Sequence, residues 1–262
     1  MVISSLIAND NHTMSATKIL YGFHAVGVRV KTAPTSVVEI YYDASRRDAR
    51  MRSFVDKATE AGVRLIEADG LRLSKMSGGH GHQGVVALAQ AVKQATSLDE
   101  LLEELEASAD TTNPLILVLD GVTDPHNLGA VLRVADGAGA HAVIAPKDHA
   151  VGINATVSKV ASGAAETMPY FMVTNLARTL NELKERNIWI IGTSDDAEKT
   201  IYDVDLKGPV ALVLGAEGPG MRQLTRKTCD ELVSIPMRGA VESLNVSVAS
   251  GVCLYEALRQ RT

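Results

Sequence analysis

Three short stretches in the second half of the chain set polar side chains beside backbone that a ligand can approach. The first is Asp120-Gly-Val-Thr-Asp-Pro-His-Asn127-Leu-Gly129-Ala-Val-Leu-Arg133, which follows an apolar run and opens a helix. Asp124-Pro125 and Asn127 are turn and cap residues. Gly129 permits close backbone approach, and Arg133 follows Asn127 by six positions on the same helix. The second is Leu214-Gly-Ala-Glu217-Gly-Pro-Gly220-Met, in which three glycines surround one carboxylate. Such a loop brings main chain close to a ligand. It is not the dinucleotide fingerprint G-x-G-x-x-G, and it lacks the Gly-Lys-Ser/Thr of a Walker loop. The third is Ile235-Pro-Met237 followed by Glu242-Ser-Leu-Asn245-Val-Ser-Val-Ala. Here Ser243 is expected to cap a helix, with Asn245 in its first turn, where a buried amide needs partners. Each stretch alone also reads as ordinary structure: a capped helix with a surface arginine, a glycine-rich turn, and helix-start polarity.

The elements that must carry these stretches are α/β throughout residues 114–262. Leu115–Leu119 is wholly apolar, as expected of a central parallel strand. Further strands are expected at Ala142–Ala145, Tyr170–Val173, Ile188–Gly192, Val210–Leu214 and Leu232–Ile235, with helices between them and a last helix from about Ser243 to Arg259. This alternation implies a parallel sheet between helices. Residues 15–92 read as a smaller αβ unit. Its expected strands are Val37–Tyr42, Val63–Glu67 and Gly84–Ala91; its expected helices are Phe23–Val30, Arg46–Ala61 and Leu71–Met76. Between the two units, residues 93–113 read as an acidic linker with one short helix, capped by Ser97 with Glu100 three residues on. Residues 1–14 lack a basic leader and a long apolar run, and are expected to be a disordered extension rather than a signal peptide.

Composition narrows the function. The chain has 262 residues, 46% hydrophobic and 22% charged, ample for buried cores and incompatible with global disorder. No apolar run approaches the roughly 20 residues of a membrane span. Cys229 and Cys253 lack His or Cys partners nearby, so they form no zinc cluster and are expected to be reduced thiols. Aromatics at 4% speak against gripping single strands mainly by stacking. The net charge of −5 argues against nucleic acid until it is divided. Residues 15–92 hold eleven Lys and Arg against seven Asp and Glu, whereas residues 93–113 hold one against six. The basic excess includes Arg46, Arg47, Arg50 and Arg52, which form either a solvated face or an anion-attracting patch.

Taken together and in this order, the three stretches resemble the motifs of the SpoU (TrmH) family of RNA ribose 2'-O-methyltransferases in the SPOUT superfamily: N-x-G-A-x-x-R, the G-x-E-G-x-G loop and S-L-N-V-S-x-A. Tyr21–Val26 (YGFHAV) and His82–Ala87 (HQGVVA) resemble that family's ribosomal-protein-like RNA-binding domain, so the resemblance covers nearly all of residues 18–262. It implies a C-terminal α/β trefoil-knot domain over 114–262, an RNA substrate-binding domain over 15–92, and a homodimer paired through the C-terminal domain. It further implies S-adenosylmethionine (AdoMet) as methyl donor, S-adenosylhomocysteine as product, no metal, and a cytoplasmic enzyme. The nearest resemblance is to members that modify a guanosine of large-subunit (23S) rRNA. The alternatives are a tRNA or another rRNA site, or a non-catalytic ribosome-assembly factor. By motif position, Asn127, Arg133, Glu217 and Asn245 are the expected catalytic residues. Gly215, Ile235 and Leu244, with Thr193, Met237 and Ser243 nearby, are the expected AdoMet contacts. Arg46, Arg47, Arg50, Arg52 and His82 are the expected RNA contacts.

Overall fold

The computed structural model describes residues 17–90, 95–108 and 113–262, so the expected extension over 1–14 lies outside the described residues. The chain divides into two units, residues 1–93 and 94–262.

In the first unit the elements run β1 (Thr17–Tyr21), α1 (Phe23–Thr32), β2 (Val37–Tyr42), α2 (Ala49–Glu60), β3 (Leu65–Glu67), α3 (Gly70–Met76) and β4 (Val85–Gln90). The sheet order is β1-β4-β2-β3, with β4 antiparallel to both β1 and β2, and β2 parallel to β3. Alternation along the strands sends Leu20, Ile40, Val85 and Ala87 to a core shared with Phe23 and Val26 of α1 and Met51 and Phe54 of α2. Tyr41 and Val86 face the other way and meet Leu73 of α3. β1 was not expected from the sequence. Helix α2 begins later than Arg46 because the Asp48 carboxylate accepts the Met51 N–H at 3.0 Å and caps it there. Arg46 and Arg47 therefore precede the helix, and only Arg50 and Arg52 lie on it.

In the second unit the elements are α4 (Leu98–Ala107), β5 (Leu115–Asp120), α5 (Pro125–Gly137), β6 (Ala142–Pro146), α6 (Ala155–Ala161), α7 (Ala164–Thr167), β7 (Tyr170–Val173), α8 (Leu176–Glu185), β8 (Trp189–Thr193), β9 (Lys199–Thr200), β10 (Val210–Gly215), α9 (Gln223–Thr228), β11 (Glu231–Ser234) and α10 (Val246–Arg261). The sheet is parallel, in the order β7-β6-β5-β10-β8-β11-β9. One face packs on α5 and α10 through Leu128, Leu132, Cys253 and Leu254. The other packs on α8 through Leu176, Leu180 and Leu183. β5 has helices over both faces and is buried along its whole length, which is why Leu115–Leu119 reads as one unbroken apolar run.

Helix α4 corrects the linker reading. Ser97 caps it as expected, accepting the Glu100 N–H at 3.1 Å. Its Leu102 is buried in the same core as α8, and Arg186 pairs with Glu106 at 3.0 Å, so the acidic helix is packed into the C-terminal unit. Gly129 permits close approach between helices: a Cβ there would stand 2.7 Å from the Val160 Cβ and 2.9 Å from the Val157 carbonyl of α6.

Candidate active site

Parallel strands end on the same edge of a sheet, and four adjacent ones bring the singled-out stretches together. Gly215 at the end of β10 is in register with Asp120 at the end of β5. On the other side of β10, Val213 pairs with Gly192 of β8, whose Thr193 pairs with Val233 of β11. The glycine loop turns back sharply here. Ala216 and Gly220 exchange backbone hydrogen bonds of 3.2 and 3.0 Å, and Gly218 and Gly220 have φ of +87° and +69°. A Cβ on Gly215 would overlap the main chain of Gly220 and Met221, so only glycine fits.

An ion pair between a buried carboxylate and a half-exposed arginine holds the far end of this loop. Asp120 is 1% exposed, and its carboxylate accepts the Arg222 N–H at 2.8 Å and the Arg222 Nε–H at 2.6 Å. Asp120 opens the first motif, but its role was missed. Its one sequence signal is an acidic residue closing a run of five apolar ones, a place where a carboxylate goes underground only with a partner.

Asn245 is the junction of the three motifs. Its Oδ1 accepts from the Ser247 N–H at 3.0 Å and the Ser247 hydroxyl at 2.6 Å, which orients the amide. Its Nδ2 then donates to Asn127 Oδ1 at 3.0 Å and, at a longer 3.4 Å, to Glu217 Oε2. Asn245 is thus the N-cap of α10, exposed rather than buried in its first turn, and Ser243 lies outside the helix. Likewise Asp124, not Asn127, caps α5: its carboxylate accepts the His126 N–H at 2.8 Å, which leaves Asn127 inside the first turn. Arg133 stands apart from this junction. It is exposed on α5, about 9 Å further along the axis and on a different face from Asn127. Among the described residues no side chain pairs with it.

The six residues assigned to AdoMet share this edge in part. Thr193 ends β8 and donates to the Val213 carbonyl at 3.3 Å, Gly215 ends β10, and Ile235 follows β11, half-buried against the core. Met237, Ser243 and Leu244 lie on the stretch from β11 to α10, which begins beside Thr193 and returns to Glu217 through Asn245. Glycine without room for a Cβ and three apolar side chains suit a cofactor held by backbone hydrogen bonds and an apolar slot. Among the described residues no group of His, Cys, Asp and Glu could hold a metal ion, and no helix is long and apolar enough to cross a membrane. Both cysteines are free. Burial pushes the Cys229 thiol up to about 11 and the Cys253 thiol to about 12, so neither is poised as a nucleophile.

In the N-terminal unit the four arginines do not form one uniform face. Arg46 pairs with Asp48 at 2.8 Å, also donates to the Gln83 carbonyl, and sits over the Phe23 ring. Arg50 covers the same ring at 4.6 Å. Arg47 and Arg52 are exposed, with no partner among the described residues. His82 is used inside the loop. Its Nδ1 accepts the Gly84 N–H at 3.0 Å, which in a neutral ring puts the proton on Nε2, 3.1 Å from the Ser74 hydroxyl.

The pattern of the SpoU rRNA Methylase family matches residues 114–255, and that of an RNA 2'-O ribose methyltransferase substrate-binding domain matches residues 19–95. The chain is 65% identical to the 23S rRNA (guanosine-2'-O-)-methyltransferase RlmB of Ralstonia nicotianae, over 95% of this chain and 98% of that one. It is 58% identical to the RlmB of Bordetella pertussis, over 95% and 99%. Among solved structures, an RNA 2'-O ribose methyltransferase superposes with a TM-score of 0.66 at 28% identity, covering 94% of this chain and 89% of that one. The SpoU methyltransferase AviRb from Streptomyces viridochromogenes, solved with AdoMet, gives 0.64 at 25% identity, covering 94% and 90%. With its three motifs meeting at one sheet edge and its sequence matching over nearly its whole length, this chain belongs to the SpoU family of rRNA methylases.

Proposed function

We propose that this enzyme methylates the ribose 2'-hydroxyl of a guanosine in 23S rRNA, using AdoMet. The observation that carries the reading is the Asn245 junction, which ties the first motif, the glycine loop and the start of α10 into one hydrogen-bonded group. AdoMet, when bound, supplies an already activated sulfonium methyl, so the protein's task is to align the acceptor oxygen and help remove its proton. Asn127 and Asn245 position the ribose and the loops around it. Glu217, or a phosphate of the RNA, accepts the proton. Arg133, whose guanidinium offers donors and no acceptor, binds the adjacent phosphate and steadies the charge developing on the oxygen. Thr193, Gly215, Ile235, Met237, Ser243 and Leu244 would hold the cofactor, which would supply the methyl group and end as S-adenosylhomocysteine.

The same reading makes the C-terminal unit a trefoil-knot domain and the protein a cytoplasmic homodimer. The α10 face supports pairing: Val248 and Tyr255 are 52% and 51% exposed, Val252 lies between them, and positions four and three apart share one side of a helix. A second copy covering this stripe also brings in the exposed side of α5, to which α10 is packed and which carries Arg133. That would complete a site from which Arg133 is otherwise remote. Light scattering is expected to give twice the chain mass at micromolar concentration.

The direct test is methyl transfer from labelled AdoMet to unmodified total rRNA and tRNA, with the labelled nucleotide mapped. Label on one guanosine of 23S rRNA is expected. Label confined to tRNA would replace this reading with the tRNA-directed one, and no transfer to any RNA would leave a binding factor.

A further inference from the structure

The N-terminal unit holds an exposed aromatic pair that neither its cores nor its arginines account for. Tyr21, at the end of β1, and His80, in the loop between α3 and β4, lie in an offset stack with centroids 5.3 Å apart and planes 7° from parallel. Both are exposed, Tyr21 by 39%, and neither belongs to the unit's buried clusters. The His80 ring is not needed to close its loop. The Ser77 hydroxyl donates to the His80 carbonyl at 2.9 Å, and the His82 ring bridges Ser74 and the Gly84 N–H. Positive charge stands at the same end of the unit. Tyr21 is followed by Gly22 and then Phe23, whose ring carries the Arg46 and Arg50 guanidinium groups, and Arg46 reaches the Gln83 carbonyl three residues beyond His80.

An exposed π surface at the end of the unit that also carries two cations matches an unpaired nucleobase with nearby phosphates. In a folded RNA only unpaired bases offer a free face, and proteins take them by stacking on aromatic rings. We propose that Tyr21 and His80 form a stacking platform for one unpaired base of the substrate RNA, with Arg50 at the same end of the unit for a nearby phosphate. This deepens the proposed function and rests on its RNA substrate. A single platform also fits a chain with 4% aromatic residues: it registers one base of a structured RNA rather than gripping a strand.

The test uses the full chain, an unmodified 23S rRNA transcript, RNA-binding measurements and methyl-transfer kinetics. His80→Ala is expected to weaken RNA binding and raise the KM for RNA roughly tenfold, with kcat, AdoMet affinity and melting temperature as in the parent. His80→Phe keeps an aromatic face and is expected to stay close to the parent, as is Tyr21→Phe. A parental KM and RNA affinity in His80→Ala would overturn the platform. So would a His80→Phe variant as weak as His80→Ala, because the ring's polarity and not its face would then matter. If the alanine variant melts low, the comparison of Phe with Leu at position 80 decides the same point. A parent that binds the transcript but transfers no methyl would defeat the proposed activity, and the binding series would still read the platform.

Discussion

The two units use their polar groups in opposite ways. At the strand ends of the C-terminal unit, polar side chains are paired with one another: Asp120 with Arg222, and Asn245 with Asn127, Glu217 and Ser247. In the N-terminal unit Arg47, Arg52, Tyr21 and His80 present charge and aromatic surface outward. The contrast separates preorganisation from capture. Groups that must stand still at a reacting centre are held by other protein groups, because misplacing them costs rate. Groups that meet a large, partly mobile RNA gain from being left open, because their partners arrive with the substrate.

The sharpest break in that comparison is Arg133, an exposed arginine with no partner among the described residues. Arg133→Ala is expected to abolish methyl transfer while AdoMet affinity stays at the parental value, measured by calorimetry. A tenfold or greater loss of AdoMet affinity would mean that Arg133 serves the cofactor and not the RNA.

Loosening the preorganised side comes next. Asp120→Ala removes the acceptor for both Arg222 bonds and frees the far end of the glycine loop. It is expected to lower kcat by about 10²-fold, with a small effect on the KM for RNA. Arg222 is half exposed and can turn to water, so little of this loss should appear as lost stability. Asp120→Asn, which keeps an acceptor oxygen, is expected to recover part of the rate. A KM effect larger than the kcat effect would contradict a positioning role.

A smaller change belongs to the capture side. Replacing Arg47 and Arg52 together by alanine is expected to weaken RNA binding several-fold and to flatten its salt dependence by about one unit of slope per lost phosphate contact. AdoMet affinity and melting temperature should not move. A salt slope equal to the parent's would make these residues a solvated face.

The smallest effect concerns alkaline stability, and it belongs to the C-terminal unit. Burial raises the Tyr170 hydroxyl from 10.0 to about 12, and the Cys229 and Cys253 thiols from 9.0 to about 11 and about 12. The unfolded chain gives up these protons first, so the stabilisation they carry is complete below about pH 9 and is lost as pH rises toward 12. Trp189, the single tryptophan, lies in the C-terminal unit and reports its melting. Its transition is expected to fall over that window, and the native thiols are expected to resist alkylation at pH 8. Rapid alkylation would show that the burial is incomplete.

Much of the molecule is written locally. Val37–Tyr42 and Tyr170–Val173 are strands with the expected ends, because β-branched and aromatic runs bounded by turn residues specify them without outside help. The glycine loop is likewise plain in Leu214–Met221, since no side chain is tolerated where the backbone doubles back. The parallel sheet between helices followed from one unbroken apolar run and the alternation after it. The motif residues were legible through their family spacing, but their contacts were not. Ser243 and Asn245 are both capping types two positions apart, and only the loop's return to Asn127 and Glu217 selects Asn245. β1 is five residues that become a strand by pairing with β4, about 70 positions away. The acidic helix α4 carries its own cap, yet whether Leu102 faces water or a core depends on α8. Asp120 and Arg222 are 102 positions apart, and the strand order that sets β10 beside β5 brings them within 2.6 Å. Periodicity, caps and glycine demands act within a few residues, so sequence alone determined most of the elements, β1 being an exception. Which polar ends meet depends on sheet order and register, and those are settled only when distant apolar faces are buried together.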